Sequence, residues 1–195
     1  MKSLIRIGTR GSALALWQAS QVQAMLKSIN LQSELIVVSS VGDKEFQKPL
    51  YEMGVQGIFT KELDSALMRG LIDIAVHSLK DVPTQLPNGI VKAFIPKRGA
   101  VEDVLVPKKD FTEKKNNSIA TSSLRRAAQW KFKNPNDNII DIRGNVPTRL
   151  KKLIKLQCEG AIMAKAGRLD LLPKNSIVLD WMVPAAGQGA IMVNC

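Results

Sequence analysis

The stretch 72-IDIAVHSLKDVPT-84 changes character in its middle. Residues 72–76 read as a buried strand, short, apolar and rich in β-branched side chains. His77, Ser78, Lys80 and Asp81 then arrive together, and Pro83 closes the segment. His77 is the chain's single histidine. A strand that runs straight into a charged turn sets chemistry-bearing side chains at a strand end. On both sides of this stretch, strand patterns alternate with helical ones.

Upstream, residues 4–9 read as a strand. From 12 to 29, Leu14, Trp17, Val22, Met25, Leu26 and Ile29 recur at helical spacing. Residues 34–39 (ELIVVS) form another strand, and Phe59, Leu63, Ala66 and Leu67 mark a second helix. Downstream, strands are expected at 90–95, 118–120, 139–142, 161–164 and 177–179, with helices at 125–132 and 148–156. The alternation predicts α/β sheets with helices on their faces. The polar run 108–117 (KKDFTEKKNN) reads as a surface loop, and 96-PKRGA-100 as a crossing between two lobes. One internal echo supports two lobes. 7-IGTRGSALALWQ-18 resembles 119-IATSSLRRAAQW-130: each is a strand, a Thr/Ser/Arg loop, then an Ala/Gln/Trp helix.

The 195 residues suffice for a substantial core, and 45% hydrophobic with 23% charged residues is ordinary for a globular protein. No run of about 18 apolar residues is present, and no secretory signal, so neither a membrane nor export is expected. Cys158 and Cys195 form no CxxC pair and no disulfide framework, which suits the cytoplasm. One histidine and two distant cysteines make no metal cluster, and no Walker or GxGxxG fingerprint occurs. The net charge of +11 is the unusual bulk feature. It suits a polyanionic partner, or simply a lysine-rich solvated surface. Nucleic acid is the weaker reading. Three Trp, one Tyr and five Phe do not interleave with the basic segments.

The arginines are not scattered. Arg10 and Ser12 open the first helix, and Thr121, Ser122, Ser123, Arg125 and Arg126 open the one at 125–132. Helix N-termini favour anions, though Ser and Thr there also serve as plain N-caps. Adjacent Arg125 and Arg126 repel each other unless an anion relieves them. A third cluster, 142-IRGNVPTR-149, sets Arg143, Gly144, Asn145 and Arg149 after a strand. Arginine grips carboxylates through two parallel bonds, and glycine allows close backbone approach. All these residues fall where strands lead into helices, the ligand edge of open α/β sheets. They predict a cleft lined with arginine, built for several carboxylates or phosphates. In such a cleft Asp81 is a poor proton donor but a good stabiliser of a developing cation. The alternative is that Asp81 and Ser78 only satisfy turn backbone groups and His77 is structural.

In order, GTRGSALALWQA, GIFTKELDSAL, HSLKDVPT, ATSSLRR, RGNVPTR and AAGQGA resemble the porphobilinogen deaminase (hydroxymethylbilane synthase) family, across nearly the whole chain. The resemblance implies two periplasmic-binding-protein-like α/β lobes with mixed sheets and a cleft between them. The first lobe would comprise 1–96 plus 187–195 and the second 100–184. It implies a transferase of haem synthesis, monomeric, that joins four porphobilinogen units into hydroxymethylbilane with loss of ammonia. It also implies a dipyrromethane cofactor carried on a cysteine. On this reading Asp81 is catalytic with Lys80 beside it. Arg10, Ser12, Phe59, Ser78, Thr121, Ser122, Ser123, Arg125, Arg126, Arg143, Gly144, Asn145, Arg149 and Gln188 contact cofactor or substrate.

Some positions depart from the family pattern. Gln56 stands where the family has a lysine, Pro147 where it has glycine, and 164-AKAGRLD-170 differs from its usual form, with Arg168 as a substitute. Neither Cys158 nor Cys195 has the context of the attachment cysteine, which the family carries in a third domain. The expectation is a truncated sequence that turns over poorly alone. The competing expectation is a non-catalytic two-lobe module that binds small polyanions.

Overall fold

The computed structural model describes residues 4–39, 60–108, 116–166 and 172–195. In chain order the elements are β1 (Ile5–Thr9), α1 (Ala13–Ser28), β2 (Ser33–Val37), α2 (Lys61–Met68), β3 (Ile74–Ser78), β4 (Lys92–Phe94), β5 (Asp103–Pro107), β6 (Ser118–Ala120), α3 (Leu124–Lys133), β7 (Asn138–Ile140), α4 (Val146–Lys155), β8 (Gly160–Ala164), β9 (Ile177–Leu179) and β10 (Ile191–Asn194). The chain divides into two compact units, one of residues 1–99 with 189–195 and the other of residues 100–188.

The first unit holds a mixed sheet of order β2-β1-β3-β10-β4. β1 runs parallel to both β2 and β3, and β10 runs antiparallel to β3 and β4. Helices cover both faces, because side chains alternate along each strand. Val76 points with Ile7 and Val193 onto Ala19 and Val22 of α1. Its neighbour Ala75 points the other way, with Ile72 onto Leu63 and Ala66 of α2. The α1 sequence is built from good helix formers, and Ser12 caps it. Asn30 ends it at φ 60°, and the Leu31 N–H closes the last turn on the Leu26 carbonyl.

The second unit repeats the wiring. Its sheet has order β7-β6-β8-β5-β9, with β6 parallel to β7 and β8, and β5 antiparallel to β8 and β9. Val104 and Val106 of β5 pack toward Leu153 of α4, while Leu105 between them packs toward Trp130 of α3. The echo between 7–18 and 119–130 therefore falls on matching places, β1–α1 and β6–α3.

The structure departs from the sequence reading in four places. β3 continues through His77 and Ser78, because Met192 and Ile191 of β10 pair with them. A partner from the far end of the chain leaves no trace in local periodicity. β5 and β10 are further strands; both runs are short, and the leading acid of β5 obscures its pattern. α4 begins at Val146, so Pro147 lies in its first turn, where a missing N–H costs nothing, and not in a loop.

Candidate functional site

The first unit gathers its candidate residues where β1 and β3 end. Arg10, Ser12, Gln18, His77, Ser78 and Asp81 line one pocket there, floored by Ala15 and Val76. Ser12 is the α1 N-cap: its Oγ accepts from the Ala15 N–H at 3.2 Å. The Thr9 hydroxyl donates to the Ala15 carbonyl at 3.1 Å, tying β1 to the same turn. Gln18, which sequence reasoning passed over, sits one helical turn on and donates from Nε2 to Ser78 Oγ at 2.9 Å. That bond holds Ser78 against α1.

Beyond Ser78 the chain makes a 3₁₀ turn at Leu79–Asp81. Its entry is pinned by the Leu79 N–H on the Ala190 carbonyl, and its exit by the Val82 N–H on the Leu79 carbonyl. Lys80 is exposed on this turn and Asp81 is half-buried in the pocket wall. These two bonds fix the backbone from which the Asp81 side chain reaches the pocket.

His77 is 5% exposed and its Nε2 has no hydrogen-bond partner. Burial, with Arg10's charge second, lowers its pKa from 6.5 to about 4. It is neutral at pH 7, so it adds no positive charge beside Asp81.

The second unit gathers its candidates at the corresponding edge, where parallel β6 and β7 end. Buried Thr121 accepts the Ser123 N–H on its Oγ1 at 3.2 Å. Ser122 Oγ accepts the Ile142 N–H at 3.0 Å and donates to the Ile142 carbonyl at 2.9 Å. This double clasp brings the loop 121–126 against the loop 142–149. Ser123 is the α3 N-cap residue, with no side-chain capping bond.

Asn145 caps α4, its Oδ1 accepting from the Thr148 N–H at 2.9 Å and the Thr148 hydroxyl at 2.8 Å. Gly144 has φ +118°, and a Cβ there would lie 2.7 Å from Thr148 Cγ2, so only glycine fits. Arg149 donates from Nε to the Gly144 carbonyl at 2.7 Å. Arg143 has a buried Nη1 without a hydrogen-bond partner. A buried guanidinium nitrogen with nothing to bond suits an anionic ligand.

The relief for the Arg125–Arg126 pair is internal. It comes from Asp103 at the start of β5, fully buried, which the sequence reading did not single out. Arg126 donates to Asp103 Oδ1 from Nη2 at 2.8 Å and from Nε at 3.1 Å. Arg125 donates from Nη2 to Oδ2 at 2.7 Å. Gln188 adds a bond from Nε2 to Oδ1 at 2.9 Å and another to the Val101 carbonyl at 2.7 Å. Burial pushes the Asp103 carboxyl up, but Arg126's charge and these donors outweigh it and leave it below the usual carboxylate range. The Arg126 side chain is 7% exposed and that of Arg125 is 26%. Arg126 is thus a buried strut and Arg125 the accessible member.

Phe59, Gln56, Arg168 and Asp170 lie outside the described residues. Cys158 is buried, which pushes its thiol pKa up and makes it a poor nucleophile; Cys195 follows β10 and is exposed. Among the described residues no group of three or more His, Cys, Asp or Glu is arranged to hold a metal ion. No described helix is long and apolar enough to cross a membrane.

Residues 5–195 match the family model described as porphobilinogen deaminase, dipyromethane cofactor binding domain. The chain is 41% identical over 200 residues to the porphobilinogen deaminase of Cytophaga hutchinsonii, covering 99% of this chain and 64% of that protein. It is 44% identical over 202 residues to that of Sulfurimonas denitrificans, covering 98% and 64%. The chloroplastic enzyme of Oryza sativa is 42% identical over 206 residues, 99% of this chain and 58% of its own. The chain thus spans just under two thirds of the length of these relatives. Among solved structures, a periplasmic substrate-binding protein of an ABC transporter from Coxiella burnetii has TM-score 0.57 at 14% identity, over 97% of this chain and 84% of that one. An ancestral cationic amino acid solute binding protein has TM-score 0.56 at 13% identity, over 98% and 81%. These two likenesses establish the lobed, mixed-sheet fold.

Proposed function

This chain belongs to the porphobilinogen deaminase family, and on that premise we propose that it forms the substrate- and cofactor-binding part of a hydroxymethylbilane synthase. The reaction is the stepwise deaminating condensation of porphobilinogen units into linear hydroxymethylbilane. The observation that carries this reading is one pocket lined by both Arg10 and Asp81, at the ends of β1 and β3.

Porphobilinogen has two chemical handles, its acetate and propionate carboxylates and its aminomethyl group. The carboxylates call for guanidinium and hydroxyl donors. Arg10, Ser12 and Ser78 supply them in the first unit, and Ser123, Arg125, Arg143 and Arg149 in the second. At the aminomethyl group the C–N bond breaks and ammonia leaves. The pyrrole nitrogen pushes electrons toward the methylene carbon and becomes positive. The Asp81 carboxylate stabilises that charge from a turn, Leu79–Asp81, whose backbone is fixed at both ends. The methylene carbon then bonds to a free α-carbon of an acceptor pyrrole, which loses its proton and regains aromaticity. Neutral His77 adds no second cation to a pocket that already holds Arg10. Lys80, exposed on the same turn, supplies a cation for carboxylates that approach it.

The residues fit a dipyrromethane, a small polycarboxylate. Arg143, Arg149, Ser123 and Thr121 would hold its acid side chains, and the buried, unpartnered Arg143 Nη1 is the donor that most needs such a ligand. A bound dipyrromethane supplies the acceptor pyrrole. The reading has the enzyme act in the cytoplasm as a monomer, with neither nucleic acid nor membrane as partner.

Asp81→Ala is the test, made in the protein as its natural gene encodes it. Turnover should fall by roughly 10²–10³-fold or more, the scale of losing one preorganised charge stabiliser, with porphobilinogen affinity little changed. Unchanged turnover, or no turnover to lose in the parent protein, overturns the reading. Residues 1–195 alone should bind porphobilinogen weakly and form product poorly or not at all. Normal product formation by them in a stopped-time assay would sink that expectation.

A further inference from the structure

Two guanidiniums share one carboxylate at the head of α3. Asp103 brings one negative charge to Arg125 and Arg126, so one positive charge is left over. Arg126 is the more buried partner and occupies Oδ1, where Gln188 also donates. Its remaining Nη1 faces the Ile162 carbonyl at 3.4 Å. Arg125 is the more exposed partner and touches Asp103 by Nη2 alone. Its Nη1 is taken by the Val183 carbonyl, and Val183 is itself gripped by Gln129 through both its N–H and its carbonyl. Asp103 Oδ2 and the Val183 carbonyl thus fix the plane of the Arg125 guanidinium. The rest of its fork stays open to an anion.

We propose that Asp103 is a positioning residue: through Oδ2 it aims Arg125 at a ligand carboxylate, while Oδ1 stores the charge of Arg126. The inference rests on the porphobilinogen reading above and adds to it a division of labour within the arginine pair. Arg125 is the ligand contact, Arg126 is internal structure, and Asp103 separates the two roles. A carboxylate that merely neutralised Arg126 would have no need to reach Arg125 with its second oxygen.

The test separates aiming from neutralising. Asp103→Leu with Arg126→Met removes the buried pair together and leaves an apolar contact, an exchange that such pairs often tolerate without loss of stability. Porphobilinogen binding is measured by calorimetry in four proteins: the parent, this double variant, Arg125→Gln, and the triple variant, with thermal midpoints as the fold control. The double variant should bind roughly tenfold more weakly, the scale of losing one charge-assisted hydrogen bond. The triple variant should bind no more weakly than Arg125→Gln alone. Parent-like affinity in the double variant overturns the proposal, as do losses that simply multiply in the triple variant. If the double variant does not fold, Asp103→Glu gives the same readout. It keeps the charge but displaces Oδ2 by a methylene, and should weaken binding at an unchanged midpoint; unchanged binding overturns the proposal. A parent that shows no saturable binding fails the porphobilinogen reading itself, and the inference with it, before any variant is compared.

Discussion

His77 shows how one residue's surroundings become a property of the whole fold. Its folded pKa of about 4 lies below the unfolded value of 6.5. The unfolded chain therefore takes up a proton first as pH falls, and the native state loses stability between pH 6.5 and 4. Above that window both states are neutral and the group contributes no slope. The loss amounts to about 3 kcal/mol when complete. Urea unfolding of His77→Leu should lack this acid limb while keeping the steeper decline at lower pH, where Asp73 and Asp103 protonate. A retained slope between pH 6.5 and 4 would show that another group titrates there. Asp73 belongs to the lower limb because its bonds from the Arg6 side chain and backbone N–H hold its carboxyl below the usual range. It is also exposed, so its share is small.

At the scale of elements, caps and turns decide where the site residues point. Asn145 accepts two bonds from Thr148, and Asn145→Ala should cost about 1 kcal/mol in a denaturant titration. Gly144→Ala should cost more, because its Cβ meets the same Thr148 side chain and the backbone is left-handed. A smaller loss for Gly144→Ala than for Asn145→Ala would contradict the steric account. Elements of this kind were legible beforehand. Helical spacing located α1 and α2, and the Arg/Ser clusters fell at strand ends because parallel strands deliver their following loops to one edge. Pairings across long sequence separations were not legible. β3 looked as if it ended at residue 76, two residues early, because its partner β10 lies at the other end of the chain. Asp103 was not singled out, since nothing local says that Arg126, on a later helix, will pair with it. Gln18 was hidden for the same reason: its partner Ser78 is on another element. Side chains that answer to near neighbours can be read from sequence, and those that answer to distant ones cannot.

For the molecule as a whole, each unit has its own core clusters among the described residues. The second unit is continuous, while the first is completed by residues 189–195. β10 is an interior strand of the first sheet, paired on both sides. Deleting residues 189–195 should therefore abolish amide-exchange protection in β1, β2 and β3 and spare β5, β6 and β8. Equal loss in both units, or none in the first, would refute that division. The position of β10 also bears on how a cell makes the protein. Chains emerge from the ribosome at about 5–20 residues per second and usually fold in the order they appear. Here β1, β2 and β3 emerge first, yet the strand that closes their sheet is translated only after the entire second unit. The later-made unit can reach its native state while the earlier one still waits on the order of ten seconds with an open sheet edge. Such an unpaired edge invites pairing with other chains. Synthesis speed through residues 100–188, and chaperones that shield nascent strands, thereby become determinants of yield that no property of the finished molecule would disclose.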